Sequence, residues 1–166
     1  MSRSSRFAFV VAALVGPASM FAQKTAAKDW SAVDKALGRA GAMQPGDVYK
    51  FSFPRSDLQV TVGGVRVKPA LALGSWVAFK RTSDGRAVVM GDLVLSPDEI
   101  PAVMSRLQAG GVDQSALHNH TPDASPPVLY MHIMARGDEV AMAKAIHDAL
   151  ATSHTQIGRA SCRERV

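Results

Sequence analysis

The sequence predicts an α+β domain in which about three helices pack on one face of a mostly antiparallel sheet. Apolar and polar residues alternate in several short segments, which is typical of half-buried strands. Glycine-containing turns separate some of these segments at hairpin spacing. Other stretches repeat apolar residues every three or four positions, as helices do. The resulting order is helix, strands, helix, two strands, helix, which favours the α+β class.

The sequence of the first half of the domain predicts one short helix followed by five strands. Apolar residues from Trp30 to Ala40 recur at helical spacing, and the turn 44–47 follows. Alternation then predicts strands over 49–53, 58–62, 65–68, 76–81 and 86–95. Gly63-Gly64 suits a two-residue hairpin, because glycine adopts the positive φ that such turns need. Ser83-Asp84-Gly85 predicts a second hairpin.

The second half begins with the clearest helix signal. In Ser96-Pro97-Asp98-Glu99, an N-cap serine precedes proline and a glutamate follows three residues later, which predicts a capping box and a helix ending at Gly110-Gly111. Two strands follow, and a third helix is predicted from Asp138 to about Ala151. Its predicted buried positions are Val140, Ala143, Ile146 or His147, and Leu150. We expect His147 to pack beside Ala143 and Leu150, and His154 to lie in a tail.

The amino-terminal end is predicted to be a signal peptide. Arg3 and Arg6 precede an uncharged apolar run at 7–15, and small residues follow up to Ala22. We expect cleavage near Ala22, so that residues 1–22 are removed and 23–29 form a linker. The mature protein is then secreted or periplasmic.

The carboxyl-terminal end is also predicted to lie outside the domain. Residues 157–166 (IGRASCRERV) contain the only cysteine, lack apolar periodicity and match the in-frame translation of a common sequencing adapter. We therefore expect a scar there and a natural chain that was cut short near Gln156. Residues 30–156 are left as one domain.

The charge of this domain argues against nucleic acid as a partner. The chain carries 19 Lys and Arg and 14 Asp and Glu, a net charge of +5. Five of the basic residues and one acidic residue lie in the two predicted ends, so residues 23–156 carry only +1. No phosphate-binding glycine loop or G-x-S-x-G elbow is present, and we expect no nucleotide or flavin. We also expect no transmembrane segment in the mature chain.

Three of the five histidines, His118, His120 and His132, lie within fifteen residues. If 114–120 is a strand, His118 and His120 point to the same face of the sheet. His132 lies on the face of the next strand that is opposite its wholly apolar positions. If Ala116 pairs with His132, all three histidines share one face, whereas a slip of one residue separates them. The sequence leaves both registers open.

Converging imidazoles predict a metal site formed by His118, His120 and His132. Three neutral histidines suit Zn²⁺ or another borderline divalent ion, with a fourth position for water or a carboxylate. Asp92 and Asp123 are the candidate carboxylates, and Asp92 is the more interesting because it alternates with apolar residues on its strand.

Two other interpretations of the histidines stay open. They can line a metal-free polar pocket together with Tyr130 and Asn119, because all three avoid the most apolar face. They can also have no role, because a half-exposed sheet face tolerates histidine and the H-x-H pattern is not specific.

Four sequence blocks carry a family resemblance. They are residues 41–64, 69–80, 88–111 and the histidine-bearing block 116–138. Together they resemble the LppY/LpqO-like family of exported bacterial proteins over about residues 30–152. The resemblance implies a secreted, periplasmic or envelope location and importance for the three histidines, but no particular reaction.

This chain departs from that family at two points. Its lipoprotein members carry a lipobox cysteine, which is missing near Ala22, so the resemblance gives no support for a lipid anchor. Residues 121–127 also differ from what we expect between the two histidine segments, which disfavours Asp123 as a ligand.

Two functions are consistent with the sequence. In the first, the three histidines bind a divalent metal that supports hydrolysis, and Asp92 or Tyr130 assists proton transfer. In the second, the domain is a non-catalytic periplasmic or envelope module that binds a small molecule or a protein partner. Only the first requires a metal, so sensitivity to a chelator distinguishes them.

Overall fold

The structure, a computed structural model, describes residues 29–158. The predicted signal peptide, all of the linker except Asp29, and residues 159–166 lie outside the described residues. Within them, the helices are α1 (Ser31–Leu37), α2 (Ile100–Ala109) and α3 (Glu139–Leu150). The strands are β1 (Ala42–Gln44), β2 (Val48–Pro54), β3 (Thr61–Val62), β4 (Val65–Arg66), β5 (Gly74–Arg81), β6 (Ala87–Leu95), β7 (Asp113–His118), β8 (Ala124–Ser125) and β9 (Leu129–Gly137).

These strands form two antiparallel sheets. Six of them make a large sheet in the order β1-β2-β5-β6-β9-β7, and β4-β3-β8 make a small one. The predicted α+β class is therefore confirmed. None of the helices in the described part of the chain is long and apolar enough to span a bilayer.

The main core lies between the helices and one face of the large sheet. Alternate residues of its strands point into this core, as Tyr49, Phe51 and Phe53 do in β2. Helix α3 packs against both α1 and α2 and contributes Ile146 and Leu150. All three helices thus cover the same face of the sheet, as the sequence predicted.

The small sheet covers one end of the opposite face. The predicted hairpin at Gly63-Gly64 is confirmed, although its strands are only two residues long. A second apolar cluster, which includes Val60, Leu73 and Tyr130, fills the space beneath it. The remainder of this face, called the open face below, includes Trp76, Met90, Asp92, Ala116, His118, His132 and Met134.

Helix α2 begins later than predicted. Its first residue is Ile100, and the residues from Pro97 to Glu99 form a turn before it. Half of the capping box is present, because the backbone N–H of Ser96 donates to Glu99 Oε2 at 2.9 Å. Pro101 falls in the first turn, where a missing N–H leaves no helical hydrogen bond unmade.

The helix starts later because Glu99 is buried and paired with a fully buried arginine. Arg55 donates to both Glu99 carboxylate oxygens, at 2.9 and 3.0 Å, and also to Asp57 and to the carbonyl of Val94. The backbone N–H of His154 donates to Glu99 at 2.8 Å, and the His154 ring lies against the same carboxylate. His154 lies in the tail after α3, as predicted, and these contacts attach that tail to the domain.

Helix α3 matches its predicted bounds, with Asp138 as N-cap accepting from the N–H of Ala141 at 2.8 Å. Its buried face was predicted incorrectly at one position. Val140 is exposed, and Met142 is buried instead. His147 is half-buried, with Nδ1 3.2 Å from the Leu37 carbonyl, so it joins α3 to the end of α1.

Candidate metal site

A β-bulge at Ser115 sets the orientation of the strand that carries His118. Gln114 pairs with Ile133, but Ala116 pairs with His132, so Ser115 is an extra residue in β7. A bulge of this kind shifts every later side chain to the other face. It places His118 opposite Tyr130, on the open face, where regular pairing would have turned it towards the helices.

The bulge brings the three histidines together. The register Ala116↔His132 and His118↔Tyr130 is the converging one of the two that the sequence allowed. One ring nitrogen from each of His118, His120 and His132 lies within 4.8 Å of the other two. The rings of His118 and His132 meet edge to face, with centroids 4.8 Å apart.

His120 reaches the site from beyond the strand. β7 ends at His118, so the condition of a continuous strand over 114–120 is not met and strand alternation does not set the direction of the His120 ring. The chain bends there, and the His120 ring stacks on Tyr130 with centroids 3.6 Å apart and an interplanar angle of 18°. Its Nε2 then lies 2.8 Å from His118 Nε2, a hydrogen bond between the two rings.

This geometry is close to that of a tetrahedral metal site. Zn–N bonds of about 2.0–2.1 Å place two ligand nitrogens about 3.3 Å apart in a tetrahedron. The His118–His120 pair would open by a few tenths of an ångström, and His132 would move inward. His118 and His132 are half-buried and His120 is exposed, so these rings can make such adjustments and an ion can reach them.

Asp92 lies beside the histidines. It is the Cα partner of His132, and its Oδ1 is 3.8 Å from His132 Nε2. The Asp92 side chain is only 16% exposed, and Oδ1 is buried without a hydrogen-bond partner among residues 29–158. A buried carboxylate oxygen without a donor is costly, so a cation at this position would be stabilised.

Tyr130 supports the site with its ring. Its hydroxyl donates to the Ala72 carbonyl at 2.8 Å, and its ring stacks on the His120 ring. Burial, followed by the negative charge of Asp92, raises the pKa of Tyr130. The phenol is therefore held neutral and bonded to the backbone, which suits a positioning role.

A cavity of about 220 Å³ adjoins the histidine group. Trp76, Met90, Asp92, Ser115 and His132 line it, together with Gly91 and Ile133. Trp76 also lines a larger apolar cavity of about 490 Å³ on the same face. The site therefore opens onto a partly apolar surface large enough for a small organic molecule.

The other sequence candidates lie outside the group that can hold a metal. Asp123 is exposed in the segment between β7 and β8, and it is not part of that group. Asn119 is exposed between the two clustered histidines. Sequence reasoning missed Trp76 and Met90 as cavity residues, because each has the periodicity of an ordinary strand position.

Comparison with known proteins identifies a family. A family model named DUF1529, described as a Domain of Unknown Function (DUF1259), matches residues 31–152. No curated protein and no solved structure gave a significant match. The matched residues run from the start of α1 to just beyond α3 and include all three clustered histidines. The chain therefore belongs to the DUF1529 family of domains of unknown function.

Proposed function

We propose that this domain binds a divalent metal ion, zinc first, through His118, His120 and His132. One observation carries the proposal: a ring nitrogen from each histidine lies within 4.8 Å of the other two, on a face where the chain needed a β-bulge to bring them together. Three imidazoles with one open position are a donor set that zinc uses in catalytic sites.

The chemistry that fits this donor set is hydrolysis. A zinc ion with an open position supplies an activated water and polarises the bond that is attacked. Asp92 lies next to His132 with an oxygen that has no donor, so it can hold a proton at Oδ1 or complete the coordination. Tyr130 positions His120 through ring stacking.

The sequence supports an extracytoplasmic setting for this function. We propose that the chain is exported through the signal peptide expected at residues 1–22. We further propose that it belongs with the exported bacterial proteins that its four sequence blocks resemble.

A second function is favoured by the cavities that meet at Trp76. A non-catalytic module would hold a small molecule in the apolar space of about 490 Å³, with the histidines as polar lining. Binding of that molecule would then be insensitive to a chelator, whereas a metal-dependent function would be lost.

Native mass spectrometry with elemental analysis tests the metal site directly. The full chain is purified without a histidine tag and compared with a variant in which His118, His120 and His132 are changed to alanine. His154→Ala is the matched control, because its ring lies against Glu99 and outside the cluster. Circular dichroism establishes that each variant is folded.

We expect one zinc equivalent in the parent and in His154→Ala, and none in the triple variant. If the parent contains no zinc after it has been incubated with zinc and the excess removed, the proposal is overturned. Equal zinc content in the parent and the folded triple variant would also overturn it, because the metal would then lie elsewhere.

A further inference from the structure

Two methionines lie side by side on the open face, next to the histidine group. Met90 in β6 is the Cα partner of Met134 in β9, so their side chains stand directly opposite each other on one face. In the same two strands, the neighbouring row on this face is Asp92 and His132. The four side chains therefore form a compact patch of two thioethers, one imidazole and one carboxylate.

The exposure of these methionines is unusual for their position. Met90 is 54% exposed and Met134 is 46% exposed, although β6 and β9 are inner strands of the large sheet. By contrast, Met131 and Met142 are buried in the main core. The small sheet covers the other end of this face and leaves the pair uncovered. Packing in the core therefore does not account for Met90 and Met134.

The surroundings of the pair allow an ion to reach it. Met90, Asp92 and His132 all line the cavity of about 220 Å³, together with Trp76. Methionine side chains have three rotatable bonds, so two exposed ones can close around an ion beside His132.

We propose that Met90, Met134 and His132 form a binding site for Cu(I). Thioethers are soft donors that select Cu(I), and imidazole also binds copper, whereas zinc favours the three-nitrogen set. Residues 29–158 contain no cysteine, so methionine is the sulfur ligand available there. The inference rests on the proposed function, because His132 belongs to both donor sets. Cu(I) is then a second, softer ion that binds on the same open face.

Competition against bicinchoninate tests the copper site. Every protein in this experiment also carries Cys162→Ser, because the thiol of the chain's only cysteine would itself bind Cu(I). Under anaerobic conditions with ascorbate, this chain competes with the chelator for Cu(I), which gives the affinity. The test variant carries Met90→Leu and Met134→Leu, which keep the apolar volume and remove both sulfurs. Met43→Leu is the matched control, because Met43 is 47% exposed but lies on β1 at the far edge of the sheet.

We expect the double variant to lose at least about tenfold in Cu(I) affinity, and Met43→Leu to match the parent. Copper-edge X-ray absorption should show sulfur scattering in the parent that disappears in the double variant. A double variant with parental Cu(I) affinity, or a parent without copper–sulfur scattering, would overturn the inference.

Zinc binding by the same proteins separates the two proposals. The double variant retains all three histidines, so it should bind zinc as the parent does. Retained zinc with unchanged Cu(I) affinity would overturn the copper site alone. If the parent binds no zinc, the zinc site is overturned. The copper site is then still decided by whether Cu(I) affinity and copper–sulfur scattering fall in the double variant.

Discussion

The Asp92 carboxylate is buried at an energetic cost and lies beside the histidine group. Its Oδ1 is buried, receives no hydrogen bond from the part of the chain that the structure describes, and lies 3.8 Å from His132 Nε2. A structural role would require a donor for this oxygen, as Arg55 provides for Glu99. The carboxylate therefore contributes less to folding than to the binding of a cation.

Replacing Asp92 by asparagine should separate binding from stability. We expect Asp92→Asn to weaken zinc binding by about 10- to 100-fold, because the negative charge beside His132 is removed. The melting temperature of the metal-free protein should stay the same or rise, because no hydrogen bond to Oδ1 is lost. Isothermal titration and calorimetry measure the two effects. Parental zinc affinity in this variant would contradict the assignment of Asp92 to the site.

Tyr130 should show a different pattern. Tyr130→Phe removes the part-buried hydrogen bond to the Ala72 carbonyl and should cost about 1 kcal/mol of unfolding free energy. The ring that stacks on His120 remains, so zinc affinity should change by less than about twofold. Tyr130→Leu removes both and should weaken zinc binding as well. If phenylalanine alone abolished zinc binding, the hydroxyl would have a direct role that these contacts do not predict.

At the level of the elements, the site depends on two neighbouring strands that hold a defined register. β6 supplies Asp92 and β9 supplies His132, and both are inner strands paired along their whole length. β7 is an edge strand, and its bulge at Ser115 turns His118 towards them. Bulges commonly re-aim side chains at sites, because one extra residue reverses the faces of a strand.

Gly91 allows the close packing of these central strands. A Cβ at this position would lie 2.8 Å from the Trp76 carbonyl oxygen and from Val77, and 3.0 Å from Ile133. We expect Gly91→Ala to lower the unfolding free energy by about 1–3 kcal/mol, because these neighbours are backbone and core. Gly137→Ala is the control, because a Cβ there meets nothing within 4 Å. Urea unfolding of both variants checks this, and an equal effect would contradict it.

At the level of the whole molecule, one buried ion network joins distant segments. Arg55 follows β2, Glu99 precedes α2, and His154 follows α3. Burial raises the pKa of Glu99, but the backbone N–H of His154, Arg55 and the N–H of Ser96 outweigh it and hold the pKa at about 2. The network therefore requires an ionised Glu99.

This low pKa predicts that part of the free energy of unfolding is lost at acidic pH. The pKa is about 2 in the folded chain, against the ordinary value of 4.5, so the stabilisation is complete above about pH 5 and declines as the pH falls towards 2. Glu99→Gln should lower the unfolding free energy at pH 7, and the difference from the parent should shrink as the pH approaches 2. Urea unfolding at several pH values checks this. A difference that does not change with pH would show that the ionised carboxylate is not responsible.

Much of the fold followed from local patterns. The β5–β6 and β3–β4 hairpins, the ends of α3 and the face of His132 were predictable, because side-chain alternation and turn chemistry act over a few residues. The start of α2 and the attachment of His154 were not. Both depend on Glu99, whose partners Arg55 and His154 lie 44 and 55 residues away along the chain.

The sequence by itself determined the fold class, most of the strands and the three histidines as the candidate ligands. Only the tertiary structure decided that these histidines converge, because regular pairing of β7 with β9 was equally compatible with the alternation. The bulge at Ser115 chose between the two registers. Tertiary structure also left Asp92 without a donor and Met90 beside Met134. Strand pairing and burial depend on contacts between residues far apart in the sequence, and the local periodicity of the sequence does not reveal those contacts.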